Sequence, residues 1–160
     1  MDESKDKRIF LIGGGIGIPP LLELAKACKN AVASIDIFLG YRDNQLFLAD
    51  EMAAYGTVHY ATEDGSAGIS GNVMDAITAS GLVPDIIMAC GPMPMLRAIK
   101  EYATKENIKA YLSLEEHMAC GVGACLGCVC KTTEKDHHSH VNNARVCTEG
   151  PVFDAEYIEV

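Results

Sequence analysis

Four of the seven cysteines in this chain lie between Cys120 and Cys130. The spacing is Cys120-x4-Cys125-x2-Cys128, and eighteen further residues separate Cys128 from Cys147. C-x4-C-x2-C followed by a distant cysteine is the ligand pattern of plant-type [2Fe–2S] proteins. Its logic is geometric. Three thiolates turn inward from one tight loop, and a fourth arrives from elsewhere to close the site. Gly121, Gly123 and Gly127 let backbone N–H groups approach the sulfurs, and such hydrogen bonds help set a reduction potential. The competing reading is a four-cysteine zinc site. Zinc sites usually pair two short Cys-x2–4-Cys knuckles, whereas here three cysteines are bunched and one is solitary. Cys130 competes with Cys128 as a ligand. The glycine-rich register favours Cys128 and leaves Cys130 as a packing thiol. His137, His138 and His140 read as part of a solvated loop.

Composition narrows the class. A chain of 160 residues with 49% hydrophobic and 22% charged residues has globular composition and length enough for a real core. No apolar run approaches the ~20 residues of a membrane span, and the charged start Met1–Arg8 lacks a signal-peptide core. A soluble, cytoplasmic protein is expected. Without a secretion signal, a cysteine-rich sequence points to metal or redox chemistry rather than disulfides. The net charge of −9 comes with no basic block, which argues against nucleic-acid binding.

Strand and helix signals alternate over the first two thirds. Strands are expected at residues 8–12, 35–39, 58–61, 85–89 and 110–114. Helices are expected at 21–28, 45–55, 72–80 and 94–106. The strands are continuous apolar runs, as in parallel sheets covered on both faces. The expectation is an α/β fold: a five-stranded parallel Rossmann-like domain over residues 1–113, then a small [2Fe–2S] cluster module over 114–160.

Gly13-Gly14-Gly15-Ile16-Gly17 follows the first strand, and Pro19 stands at the next helix start. A backbone without side chains can approach a pyrophosphate at a helix N-terminus. The run is not a complete G-x-G-x-x-G, since Ile18 stands where the last glycine belongs. Asp36 is at about the right distance for a ribose-binding acid but lies inside the second strand. Cys90-Gly91-Pro92 follows the fourth strand, at the sheet edge where α/β ligands bind. Thr62, Glu63 and Asp64 follow the third strand at that edge, as turn formers or as ribose ligands. Tyr41-Arg42 holds a comparable place after the second. The dispersed methionines read as core filler.

The glycine loop together with Cys90-Gly91-Pro92 resembles the NAD(P)-binding domain of the ferredoxin–NADP reductase superfamily. Ser113-Leu114-Glu115-Glu116-His117-Met118-Ala119-Cys120-Gly121-Val122-Gly123-Ala124-Cys125-Leu126-Gly127-Cys128 and Cys147-Thr148-Glu149-Gly150-Pro151-Val152-Phe153 narrow this. The chain resembles the electron-transfer subunits of bacterial NAD-linked dihydroorotate dehydrogenases. That resemblance implies an oxidoreductase component of pyrimidine biosynthesis. Electrons from an FMN-containing catalytic subunit would pass by [2Fe–2S] and FAD to NAD+, in a heterotetramer. Cys120, Cys125, Cys128 and Cys147 would hold the cluster. Gly13, Gly14, Gly15, Ile16, Gly17 and Pro19 would bind the NAD pyrophosphate region. Cys90, Gly91 and Pro92 would lie beside the nicotinamide–flavin contact, with Thr62, Glu63 and Asp64 towards the nucleotide. The family carries an FAD-binding barrel before the glycine loop, and here Met1 stands twelve residues before Gly13. The expectation is therefore a piece lacking the barrel and incomplete for catalysis by itself. Hydride and electron transfer are cofactor chemistry, so no acid–base catalyst is named. Diaphorase-type subunits of hydrogenases or ferredoxin oxidoreductases share these features and stand as the alternative, beside a zinc-stabilised binding module.

Overall fold

Ile9, Phe10, Leu11 and Ile12 are all buried, so successive side chains of one strand have apolar cover on both sides. The computed structural model describes residues 6–135 and 141–160. His137, His138 and His140 lie outside the described residues. The first strand, β1 (Arg8–Gly14), sits mid-sheet, between β2 (Ser34–Tyr41) and β5 (Ile86–Cys90), parallel to both. β3 (Thr57–Thr62) continues beyond β2, and β6 (Lys109–Ser113) beyond β5, again parallel. These are the five expected strands. A two-residue strand, β4 (Ile69–Ser70), extends the β3 edge, and β9 (Val152–Asp154) pairs antiparallel with β6 at the other edge.

The seven-stranded order is β4-β3-β2-β1-β5-β6-β9. Sequence runs outward from β1 in both directions, which places a topological switch point between β1 and β5. Ile9, Leu11, Ile37 and Leu39 pack with α1 (Ile18–Cys28) and α2 (Ala49–Met52) on one face. Phe10, Ile12, Phe38 and Ile87 pack with α3 (Val73–Ser80) and α4 (Met93–Glu106) on the other.

Local chemistry sets the helix ends. Pro19 and Pro20 stand in the first turn of α1, where a missing N–H costs nothing. Asn72 caps α3 by accepting from the Met74 N–H at 2.8 Å, while Asp75 reaches back to the Asn72 N–H at 2.7 Å. The helix stops at Gly81, which adopts the left-handed conformation.

The helix expected over 45–55 shrinks to α2. Leu48 takes φ 63°, and the Asp43 carboxylate accepts from the Gln45 N–H at 2.9 Å. The Tyr41 hydroxyl donates to the Phe47 carbonyl at 2.8 Å. These contacts fold residues 43–48 into a turned loop ahead of the helix.

Beyond β6 the chain forms the cysteine loop, then a three-stranded antiparallel sheet ordered β10-β7-β8. Its strands are β7 (Val129–Thr132), β8 (Asn143–Arg145) and β10 (Ile158–Glu159), and the short helix α5 (Val146–Glu149) follows β8. Cys128, Cys130, Ala144, Val146, Phe153 and Ile158 share one apolar core with α4 and β6. The Lys100 ammonium on α4 donates to the Ile158 carbonyl. Among the described residues, no helix is long and apolar enough to cross a membrane.

Candidate dinucleotide cleft and cysteine centre

The carboxyl ends of β1, β2, β3 and β5 open into a cleft of about 750 Å³. Gly14 and Gly15 form its floor, Tyr41, Arg42, Asp43 and Phe47 one wall, and Pro92, Met95 and Ala98 the other. Glu63 and Asn72 also line it. Parallel sheets bind ligands at this edge, beside the switch point. The β2 and β3 loops are tied together: the Glu63 N–H donates to the Tyr41 carbonyl at 3.1 Å, and the Asp64 N–H to the Arg42 carbonyl at 3.2 Å.

A smaller pocket of about 200 Å³ lies on the other side of the glycine loop. Ile16, Gly17, Cys90, Gly91, Ser113, Leu114 and Glu115 line it. Cys90 and Ser113 are register partners across β5 and β6, and the Ser113 side chain hydrogen-bonds the Cys90 sulfur. Burial pushes the Cys90 thiol up, and the nearby Glu115 charge acts in the same direction.

The expected nucleotide residues divide between these places. Gly14, Gly15, Glu63 and Pro92 line the large cleft. Ile16, Gly17, Cys90 and Gly91 line the small pocket. Gly13 is buried at the end of β1 and Pro19 is exposed on α1, and neither lines either cavity. Thr62 is fully buried; its hydroxyl donates to the Ala67 carbonyl at 2.7 Å and accepts from the Ala67 N–H at 3.1 Å. That geometry makes it a loop fastener. Asp64 accepts from the Ser66 hydroxyl and N–H, which hold its carboxyl below the usual range.

Asp36 is far from the ligand edge, near the start of β2. It is buried with His59 at 3.2 Å and Arg8 at 3.5 Å. Asp43, Asn72 and Met95 were not singled out from sequence as cleft residues. Their signal was position, since each closely follows the carboxyl end of a strand. Met95 is more than core filler, because its thioether lies against Gly14 and Gly91.

The cysteine loop brings the four sulfurs together as two contacting pairs. The Cys125 N–H donates to the Cys120 sulfur at 3.3 Å, and the Cys147 N–H to the Cys128 sulfur at 3.5 Å. The Cys125 side chain also acts on the Cys120 thiol, and the Cys128 side chain on the Cys147 thiol. N–H donors from Cys125, Val122 and Ala124 hold the Cys120 thiol down at about 6. Contact with the Cys128 sulfur raises the Cys147 thiol, and the Cys120 charge adds to the rise. Cys130 points elsewhere: its buried sulfur faces the Ala144 carbonyl at 3.6 Å.

Among the described residues, no three Cys, His, Asp or Glu side chains are grouped so as to hold a single metal ion. Four-thiolate zinc needs all its ligands around one centre. A two-iron cluster takes two thiolates at each iron. Two sulfur pairs ringed by N–H donors fit that group. The loop also exposes apolar side chains, with Val122 72% and Leu126 70% accessible.

Two family models match different stretches of the chain. Residues 11–101, more than half of the chain, match the oxidoreductase NAD-binding domain family. Residues 115–159 match the iron–sulfur cluster binding domain of dihydroorotate dehydrogenase B. The electron transfer subunit of dihydroorotate dehydrogenase B (NAD(+)) from Geobacillus kaustophilus is 47% identical over 94% of this chain. The corresponding subunit from Listeria monocytogenes is 43% identical over 96% of it. The chain spans 56% and 59% of the length of those two relatives. A solved structure of an NADH-dependent reduced ferredoxin-NADP oxidoreductase, studied for flavin-based electron bifurcation, aligns with a TM-score of 0.81 at 29% identity. That alignment covers 98% of this chain and 56% of the solved one. The chain belongs to the family of oxidoreductase NAD-binding domains, here joined to an iron–sulfur cluster binding domain of the dihydroorotate dehydrogenase B type.

Proposed function

We propose that this chain is the NAD- and cluster-bearing part of the electron-transfer subunit of a cytoplasmic NAD-linked dihydroorotate dehydrogenase, acting in pyrimidine biosynthesis. In that reading residues 1–113 carry the dinucleotide and residues 114–160 the cluster. The single observation that carries it is the two-by-two pairing of Cys120 with Cys125 and of Cys128 with Cys147, beside a dinucleotide-type cleft.

The residues have separable tasks. Gly14 and Gly15 offer bare backbone to the NAD pyrophosphate, and Arg42 supplies a cation in an otherwise acidic chain. Glu63 and Asp43 are placed to accept ribose hydroxyls. Gly17, Cys90 and Gly91 shape the small pocket for the nicotinamide end. Cys120, Cys125, Cys128 and Cys147 hold two irons, and exposed Val122 and Leu126 offer an apolar contact to the FMN-containing catalytic subunit of a heterotetramer. When bound, the cluster supplies one-electron transfer, FAD the exchange between one- and two-electron chemistry, and NAD+ the hydride acceptor. Overall, dihydroorotate gives up two electrons and two protons to become orotate. NAD+ takes the hydride equivalent and one proton is released. FAD is the flavin this kind of subunit implies, and no residue of the chain is assigned to it.

Anaerobic expression with and without an FMN-containing dihydroorotate dehydrogenase subunit tests the reading. The expected result is a brown chain with two irons and two sulfides that co-purifies with that subunit. A colourless chain with stoichiometric zinc, or one that pairs only with a hydrogenase, overturns it.

A further inference from the structure

Leu46 and Leu48 pack against the core shared with α1 and α2, while Phe47 between them stays 45% exposed on the wall of the large cleft. The backbone of Phe47 is fastened on both sides. Its N–H donates to the Gln45 carbonyl at 2.9 Å, and its carbonyl accepts from the hydroxyl of buried Tyr41 at 2.8 Å. The Phe47 and Tyr41 rings meet edge to face, with centroids 5.4 Å apart. Leu48 follows in the left-handed region, at φ 63°, and leads the chain into α2.

An aromatic ring left in water on a fastened loop is pre-organised to cover a flat, apolar partner. Its neighbours identify that partner. Arg42, Asp43 and Glu63 share the cleft with it, over the floor of Gly14 and Gly15. A cation, two carboxylates and bare backbone suit phosphate and ribose, so the flat group that completes the set is a nucleobase. The small pocket around Gly17, Cys90 and Gly91 lies on the other side of the glycine loop. A dinucleotide spanning that loop puts one ring system at each place.

We infer that Phe47 is the stacking platform for the adenine of NAD+, and that it anchors the nucleotide at the end of the cleft away from the small pocket. This rests on the proposed dinucleotide reading and adds to it a binding residue and a direction along the cleft. Every base has a π-face, so stacking on an aromatic ring contributes affinity without hydrogen bonds to the base edges. Tyr41 acts through Phe47, by fixing its place in the wall.

The chain contains no tryptophan, so Phe47→Trp places a single indole at the platform. ADP-ribose carries the adenine without the nicotinamide, and it should quench that emission saturably. Nicotinamide mononucleotide carries the reverse and should leave it unchanged. Calorimetric titration with ADP-ribose then compares wild type with Phe47→Tyr and Phe47→Leu. Tyrosine keeps the ring and should bind as wild type does. Leucine keeps apolar bulk without a π-face and should bind about tenfold more weakly, the scale of one lost base–aromatic stack. Wild-type ADP-ribose affinity in Phe47→Leu overturns the inference. So does quenching of the indole by the mononucleotide in place of ADP-ribose, which would reverse the direction. If Phe47→Leu fails to fold, the quenching of Phe47→Trp decides alone. A wild-type chain that binds neither NAD+ nor ADP-ribose defeats the dinucleotide reading itself, which separates the two failures.

Discussion

Gly17 packs against Cys90 so closely that a single methyl group at Gly17 would overlap the Cys90 carbonyl and press on the Gly91 nitrogen. The loop after β1 and the turn after β5 thus meet backbone to backbone at the switch point. The two motifs are far apart in sequence, and this contact makes them one wall of one site.

Gly17→Ala should therefore damage both stability and binding. Forcing a methyl into a packed contact costs about 1–3 kcal/mol. The loop must also shift away from the Cys90 turn, so NAD+ affinity should fall several-fold. Val83→Ala is the control, since Val83 is 64% exposed and lines neither cavity. Chemical denaturation and NAD+ titration of the two variants check this. Equal stability of Gly17→Ala and wild type would show that the contact is looser than drawn.

Serine substitutions at Cys128 and Cys130 separate ligand from neighbour. The two lie two residues apart, and both are buried. Only Cys128 contacts another cysteine of the pairs, while Cys130 faces Ala144. Cys128→Ser should lose most of its iron and visible absorbance after aerobic chelation. Cys130→Ser should keep both irons and lose stability by about 1 kcal/mol, the scale of a lost packed sulfur contact. Iron counts per chain read the result directly.

The sequence made the five strands and the cysteine centre legible for physical reasons. Doubly covered strands need unbroken apolar runs such as Ile9–Ile12, and few chemistries need three thiols in nine residues beside glycines. Local signals also placed Asn72 and Gly81 at the ends of α3. What stayed hidden was tertiary. The helical pattern over 45–55 gave way to the Tyr41–Phe47 hydrogen bond, a contact decided by β2. Thr62 read equally as a turn former or a ribose ligand, and its burial against Ala67 made it structural. The added edge strand β9 is only three residues long, too short to carry a pattern. Met95 offered only its position after β5, because the folded edge alone sets it over Gly14.

Arg42 separates the cation's task from the fold. It is exposed at the rim of the cleft, beside Asp43 and Glu63. Removing it should leave stability within about 0.5 kcal/mol, as for surface sites generally. Loss of a charge-assisted contact to a phosphate is worth about 1.5–3 kcal/mol, so Arg42→Ala should weaken NAD+ binding by roughly tenfold or more. Because the contact is ionic and exposed, the wild-type advantage should shrink in high salt. An unchanged affinity would move the phosphates away from the β2 loop.

Cys90 gives a pH-dependent readout at the small pocket. Burial raises its thiol, Ser113 donates a hydrogen bond that lowers it, and Glu115 raises it. The net shift is upward, so the thiolate fraction at neutral pH is smaller than for a free cysteine. Alkylation, which needs the thiolate, should therefore be slow at pH 7 and accelerate only as the pH climbs past the ordinary thiol range. Glu115→Gln removes a negative charge, lowers the thiol and should speed labelling at pH 8. Ser113→Ala removes the donor, raises the thiol and should slow it. Labelling followed by peptide mapping distinguishes Cys90 from the other cysteines. NAD+ should protect Cys90 if the nicotinamide end occupies this pocket, and equal labelling with and without NAD+ would place that end elsewhere along the cleft.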